Sequence, residues 1–178
     1  SINQKKKYTI GGGIGLKAEY FDNTDFTNLK ETRNDRTINF DWTNTSPVSG
    51  MDNSTYSVRW TGTLKPQSTE EYVFTSSVLS SNSFKLWINN SVVLDHADGN
   101  DSKQVNLQAG QTYTMQIEYV NSAGSEKVQL FWESINRDKE IVPMACLFSS
   151  YVPTSTPTAK PTSTPTTKPT STPTTKPT

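Results

Sequence analysis

Polar and apolar side chains take turns along this chain, and that period of two leaves little choice of fold. Tyr56, Val58, Trp60 and Leu64 alternate with Ser57, Arg59 and Thr61. Phe84, Leu86 and Ile88 alternate with Lys85, Trp87 and Asn89. Tyr113, Met115, Ile117 and Tyr119 alternate with Thr114, Gln116 and Glu118, and Val128, Leu130 and Trp132 with Gln129 and Phe131. Shorter versions fall at Tyr72 and Phe74 and at Val105 and Leu107. Successive side chains of an extended strand point to opposite faces, so each stretch has one greasy face and one wetter face. The even-numbered residues of 56–64 and 84–88 are expected to face inward, with the odd-numbered residues of 113–119. Trp60 and Trp132 fall in the core phase, and Trp42 follows Ile38 and Phe40 in the same way.

Turn chemistry separates these runs. Asn89-Asn90 can adopt positive φ and close a tight hairpin between Ile88 and Val92. Ala109-Gly110 and the segment 121–125 are further turn signals. No stretch carries a sustained helical stripe, although residues 25–29 fit a short helix or turn. Many short strands with closely spaced turns predict an all-β fold, an antiparallel β-sandwich or barrel.

The repetitive stretches lie at the ends. From Pro153 onward an eight-residue Pro/Thr/Ser/Lys repeat holds seven of the ten prolines and no aromatic or branched aliphatic side chain. Such a segment has nothing to bury and reads as a disordered, semi-rigid linker over 151–178. Extended as polyproline II, its last 26 residues would span about 80 Å at about 3.1 Å per residue. Residues 1–13, with Lys5-Lys6-Lys7 and a glycine run, read as a leader or linker. One domain over 14–150 remains.

All 17 acidic residues but only 11 of the 17 Lys and Arg lie between Tyr8 and Val152, which leaves that segment at −6. Nucleic-acid binding needs the opposite balance. The same charge opposes tight binding of an acidic polysaccharide, unless calcium bridges the two. Cys146 is the one cysteine, so no internal disulfide forms. No apolar run approaches the ~20 residues of a spanning helix.

The order Gly15-Leu16-Lys17-Ala18-Glu19-Tyr20-Phe21, Ile38-Asn39-Phe40-Asp41-Trp42 and Tyr56-Ser57-Val58-Arg59-Trp60-Thr61-Gly62 resembles a PA14 domain. Further landmarks are Glu71-Tyr72-Val73-Phe74, Phe84-Lys85-Leu86-Trp87-Ile88-Asn89, Gln116-Ile117-Glu118-Tyr119 and Val128-Gln129-Leu130-Phe131-Trp132. The resemblance implies a β-barrel or sandwich of the carbohydrate-binding type, as in clostridial polysaccharide-degrading or biomass-sensing surface proteins. In the sugar-binding adhesins of the family, two adjacent aspartates hold a calcium ion that grips sugar hydroxyls. Here those positions fall on Ser81 and Asn82, and the aspartate usual after Ile88 is Asn89. Site affinity for calcium falls as carboxylates are lost, so that site is not carried over.

Two other features are candidate sites. Asp95, Asp98 and Asp101 could wrap a calcium ion through oxygens, against the plainer reading of a polar turn with Asp98-Gly99 at its corner. Trp87 points away from the face that Phe84, Leu86 and Ile88 bury, where an indole could carry the apolar face of a sugar. The alternative is that it packs under a loop. Arg59, outward as well, could pair with an acid.

Ser81, Asn82, Trp87, Asn89, Asp98 and Asn121 are therefore the expected carbohydrate-binding set, and Asp95, Asp98 and Asp101 the expected metal set. Catalysis is not expected. His96 is the sole histidine and has no nucleophile elbow near it, and Glu70 and Glu71 are strand neighbours pointing apart.

The expected function is a non-catalytic, extracellular or cell-surface module, monomeric and without membrane contact. It would bind plant or cell-wall polysaccharide for a larger glycan-degrading or glycan-sensing protein, such as an anti-sigma factor. The alternative is a spacer or protein-interaction module that binds no sugar.

Overall fold

The structure is a computed structural model describing residues 11–122, 124 and 127–153. The leader up to residue 10 and the Pro/Thr linker from residue 154 lie outside the described residues, as does part of the 121–125 turn.

Twelve strands follow one another: β1 (Leu16–Phe21), β2 (Leu29–Asp35), β3 (Asn39–Asp41), β4 (Tyr56–Leu64), β5 (Glu70–Ser77), β6 (Ser83–Ile88), β7 (Ser91–Asp95), β8 (Ser102–Leu107), β9 (Tyr113–Asn121), β10 (Lys127–Ser134), β11 (Arg137–Ile141) and β12 (Leu147–Phe148). The only helical elements among the described residues are single 3-10 turns at His96–Asp98 and Met144–Cys146. A seven-stranded sheet has the order β2-β1-β4-β9-β6-β7, with β12 pairing the end of β4 beyond β1. A five-stranded sheet has the order β11-β10-β5-β8, with β3 pairing β10. Every strand pair is antiparallel. The fold is the expected antiparallel β-sandwich.

The alternation decides the core. Tyr56, Val58, Trp60 and Leu64, Phe84, Leu86 and Ile88, and Met115, Ile117 and Tyr119 are all buried, facing Tyr72, Phe74, Leu130 and Trp132 of the other sheet. Trp42 joins them, stacked on Phe40 with ring centroids 4.6 Å apart, while Phe40 stacks on Trp60 at 5.9 Å. Tyr72 stacks on Trp132 at 4.5 Å. Aromatic pairs of this kind add about 0.5–1.5 kcal/mol each beyond the area they bury.

β2 carries no such signature. Apart from Leu29 it is polar on both faces, an edge strand held by its ladder to β1. Residues 25–28 lie in the loop of bends that leads into it. Its last residue, Asp35, is only 6% exposed. The Asp35 carboxylate accepts hydrogen bonds from Tyr20 Oη (2.5 Å), Trp60 Nε1 (2.8 Å) and Arg33 Nε (2.8 Å). A buried charge persists only where its lone pairs are met in this way.

A seam forms where residues 13–15, leading into β1, run beside residues 145–147, leading into β12 of the same sheet, in the same direction. Gly13 N donates to Ala145 O (3.1 Å), and Ile14 N and Gly15 N donate to Leu147 O (2.9 and 3.1 Å). A side chain at Gly13 would put its Cβ 2.3 Å from Leu147 O, so the approach requires glycine. Gly13 thus packs against the domain.

Candidate carbohydrate-binding face

The seven-stranded sheet turns one face outward, and its cross-strand register sorts that face into rows. One row is charged and alternates in sign: Glu19 pairs Arg59, Arg59 pairs Glu118, Glu118 pairs Lys85, and Lys85 pairs Asp95. Arg59 Nε donates to Glu118 Oε1 (2.9 Å), and Lys85 Nζ lies 2.8 Å from Asp95 Oδ2. Its bond to Asp95 holds the Lys85 ammonium above its usual pKa. Arg59 also lies over the Phe26 ring, 4.7 Å from its centroid. Phe26 sits at φ 60, a rare conformation for a bulky residue.

The next row runs Lys17, Thr61, Gln116, Trp87 and Val92. It is uncharged apart from Lys17, whose Nζ lies 3.0 Å from Glu19 Oε1. Trp87 is half-buried and lines a cleft of about 200 Å³ with Thr61, Gly62, Asn90, Thr114 and Gln116. The Lys85 ammonium stands 5.4 Å from the Trp87 ring centroid. Beside the indole, Val92 is 39% exposed.

A bulge sets up this pairing. The ladder between β6 and β7 shifts at Leu86/Trp87, so that Val93 is the extra residue. Val93 and its neighbour Leu94 are both buried. The insertion lets Val92 flank Trp87 and Asp95 flank Lys85 on one face, a re-aiming that bulges characteristically achieve. The Asn89-Asn90 turn before β7 has φ 47 and 62, as expected of a two-residue hairpin.

The expected sugar-binding residues fall into separate places. Ser81, Asn82 and Asn121 gather at one end of the sheet, and Ser81 is exposed. Asn82, 5% exposed, donates to Tyr119 Oη (3.0 Å) and accepts from Ser122 N (3.1 Å). Asn121 is fully buried and donates to Asn53 O (3.3 Å). Trp87 and Asn89 lie toward the other end of β6, about 17 Å away at ~3.4 Å per residue. Asn89 Oδ1 there accepts from Thr114 N (2.8 Å). Asp98 lies apart in the exposed 3-10 turn, which ends at Gly99 with φ 72.

The expected calcium set does not converge. Asp95 is engaged by Lys85, while Asp101 accepts from Ser76 Oγ (2.9 Å) and lies 2.6 Å from His96 Nδ1. Among the described residues no group of three potential metal-binding side chains occurs. Asp95 and Asp101 thus each hold a local partner in a turn that Asp98 and Gly99 complete. The family's calcium position fits no better: Asn82 spends both ends of its amide on the protein and brings no carboxylate.

Sequence reasoning placed Trp87 outward but missed Thr61, Gln116, Thr114 and Val92 as its neighbours. Cross-strand register is what joins them, and only the break in alternation at Val92-Val93-Leu94 hinted at it.

The model of the PA14 domain family matches residues 13–144. The chain belongs to the PA14 domain family. This PA14 domain is 33% identical over 144 residues to anti-sigma-I factor RsgI3 of Acetivibrio thermocellus, a match covering 79% of this chain and 22% of that protein. It superposes on an anti-sigma factor domain-containing protein from Clostridium clariflavum with a TM-score of 0.71 and 39% identity, over 82% of this chain and 50% of that one. The epithelial adhesin 9 A domain from Candida glabrata, solved in complex with Galb1-4GlcNAc, has a TM-score of 0.60 at 12% identity, over 80% of this chain and 95% of that one. At that identity the likeness is one of fold. The PA14 domain thus spans about half the solved anti-sigma relative and a smaller part of the curated one.

Proposed function

We propose that this PA14 domain is a non-catalytic carbohydrate-binding module, displayed outside the cell as part of a larger glycan-sensing protein of the anti-sigma-factor kind. The observation that carries the reading is Trp87, a half-buried indole at the wall of a cleft that Thr61, Gly62, Asn90, Thr114, Met115 and Gln116 also line. An indole offers an apolar plane to the C–H face of a pyranose, and flanking amides and hydroxyls meet its hydroxyls. The anti-sigma factors among its relatives support a sensing role, and the adhesin supports sugar binding on this fold. A Pro/Thr-rich segment beyond the domain suits a spacer that holds a binding module away from its anchor.

The test is affinity electrophoresis and a glycan array with plant and cell-wall polysaccharides, comparing the native domain with Trp87→Ala. The native domain is expected to be retained by at least one polysaccharide. The variant loses retention while its melting temperature stays within a few degrees, because Trp87 is not in the core. Retention by none would refute the reading.

One observation favours a second reading, a spacer or protein-interaction module. At the loop end, Asn82 and Asn121 turn their amides inward, toward partners within the domain. The glycan experiment separates the two.

A further inference from the structure

We infer that the ligand is an uncharged, extended pyranose chain lying across the strands, bound along its middle by the Thr61, Gln116, Trp87 and Val92 row. The inference rests on the carbohydrate-binding reading and adds the direction, the charge and the mode of binding. Three observations carry it.

The first is the shape of the row. Its members come from β4, β9, β6 and β7, four adjacent strands. Strands repeat every 4.7–4.9 Å or so across a sheet. A β-linked pyranose chain advances by close to one such spacing per residue, so successive rings would meet successive strands. Thr61 and Gln116, whose Nε2 donates to Glu118 Oε1 (3.0 Å), form the polar end of the row, and Trp87 and Val92 an apolar strip at the other.

The second is Val92. A valine 39% exposed beside an indole has no structural need to face water. The Val93 bulge puts it there. Together Trp87 and Val92 make a platform two strands wide, which would carry two rings rather than one.

The third is charge. The cations of the two rows each have a carboxylate of the same face beside them: Lys17 with Glu19 (3.0 Å), Arg59 with Glu118 (2.9 Å) and Lys85 with Asp95 (2.8 Å). Lys103, reaching over from β8, donates to Val92 O at the end of the row (3.3 Å). A uronic acid chain would have to displace one of these partners from a domain that is already acidic. A neutral chain displaces none.

The experiment is calorimetry with neutral gluco-, manno- and xylo-oligosaccharides of one to six residues, with chain ends free or blocked, and with oligogalacturonates. The variants are Trp87→Ala, Val92→Asp and Gln116→Ala. Binding to a neutral series should tighten by about tenfold or more from one residue to four, since each added ring brings its own contacts. Blocking either chain end should change nothing. Val92→Asp should weaken the tetrasaccharide by about tenfold or more and the monosaccharide less.

Affinity independent of length, or lost on blocking one end, would overturn the inference while leaving the carbohydrate-binding reading intact. So would glycan binding that survives Trp87→Ala and Val92→Asp, or a preference for oligogalacturonates. Absence of binding to every glycan would overturn both.

Discussion

At the scale of single residues, two buried groups set clear expectations. Asp35 satisfies Tyr20, Trp60 and Arg33 at once. Asp35→Ala would leave the buried Tyr20 hydroxyl proton and Trp60 indole N–H without their acceptor, while Arg33 keeps Glu31, Pro47 O and Tyr20 Oη. The loss is expected to be about 2–4 kcal/mol in urea unfolding, at about 1–3 kcal/mol for each buried donor left unsatisfied.

Cys146 is the second. Burial pushes its thiol pKa up to about 11. Its thiol therefore stays neutral at ordinary pH and reacts sluggishly with alkylating agents in the fold. Between pH ~9 and ~11 the unfolded chain has released this proton while the folded chain still holds it. Stability should fall over that window, by up to about 1.4 kcal/mol per pH unit from this group. Cys146→Ala should flatten that part of the profile. Tyr20, raised well above its usual range by burial and by Asp35, keeps the decline going at higher pH in both proteins. A profile unchanged by Cys146→Ala would show that the thiol is not the group responsible.

At the scale of elements, what the sequence disclosed depended on whether a strand has one apolar face. β4, β6, β9 and β10 announced themselves, down to which tryptophans are internal. β2 did not, because an edge strand polar on both sides has no period to detect. The candidate amides show the same logic applied incompletely. Asn82 is in phase with Phe84, Leu86 and Ile88, and Asn121 with Met115, Ile117 and Tyr119. The parity that turned Trp87 outward therefore turned both amides inward, yet amide chemistry alone made them look like ligand contacts. Asp95 and Val92 were harder, because the bulge breaks parity midway along β7.

That bulge supports a prediction of its own. Deleting Val93 removes the extra residue and leaves Val92, Leu94 and Asp95 opposite Trp87, Leu86 and Lys85 in an unbroken ladder. Leu94 stays inward and Asp95 outward. The deletion is expected to destabilise the domain by about 1.5–3 kcal/mol, the contribution of burying one valine. The Lys85–Asp95 ion pair should survive, visible as a Lys85 pKa unchanged in an NMR titration. A fall in the Lys85 pKa would mean that the ladder had shifted register.

At the scale of the molecule, an all-β sandwich or barrel could be inferred from alternation and the landmark segments, but the face around Trp87 could not. A cleft on the outer side of a sheet arises from strands far apart in the chain: Thr61, Trp87 and Gln116 become neighbours only through pairing. Spacing along the sequence carries no trace of that. The seam between residues 13–15 and 145–147 is equally silent in the sequence, where Gly13 reads as part of a leader or linker.

That seam also bears on how the domain would respond to force. Residues 13–15 and 145–147 lie side by side and point the same way. Tension drawn backward through Gly13 and forward through Phe148 would slide one segment along the other rather than peel them apart. In sliding, all the bonds between the two segments share the load and must yield together, whereas peeling breaks them singly. A domain loaded through these two points would hold its shape at loads that unzip an antiparallel hairpin.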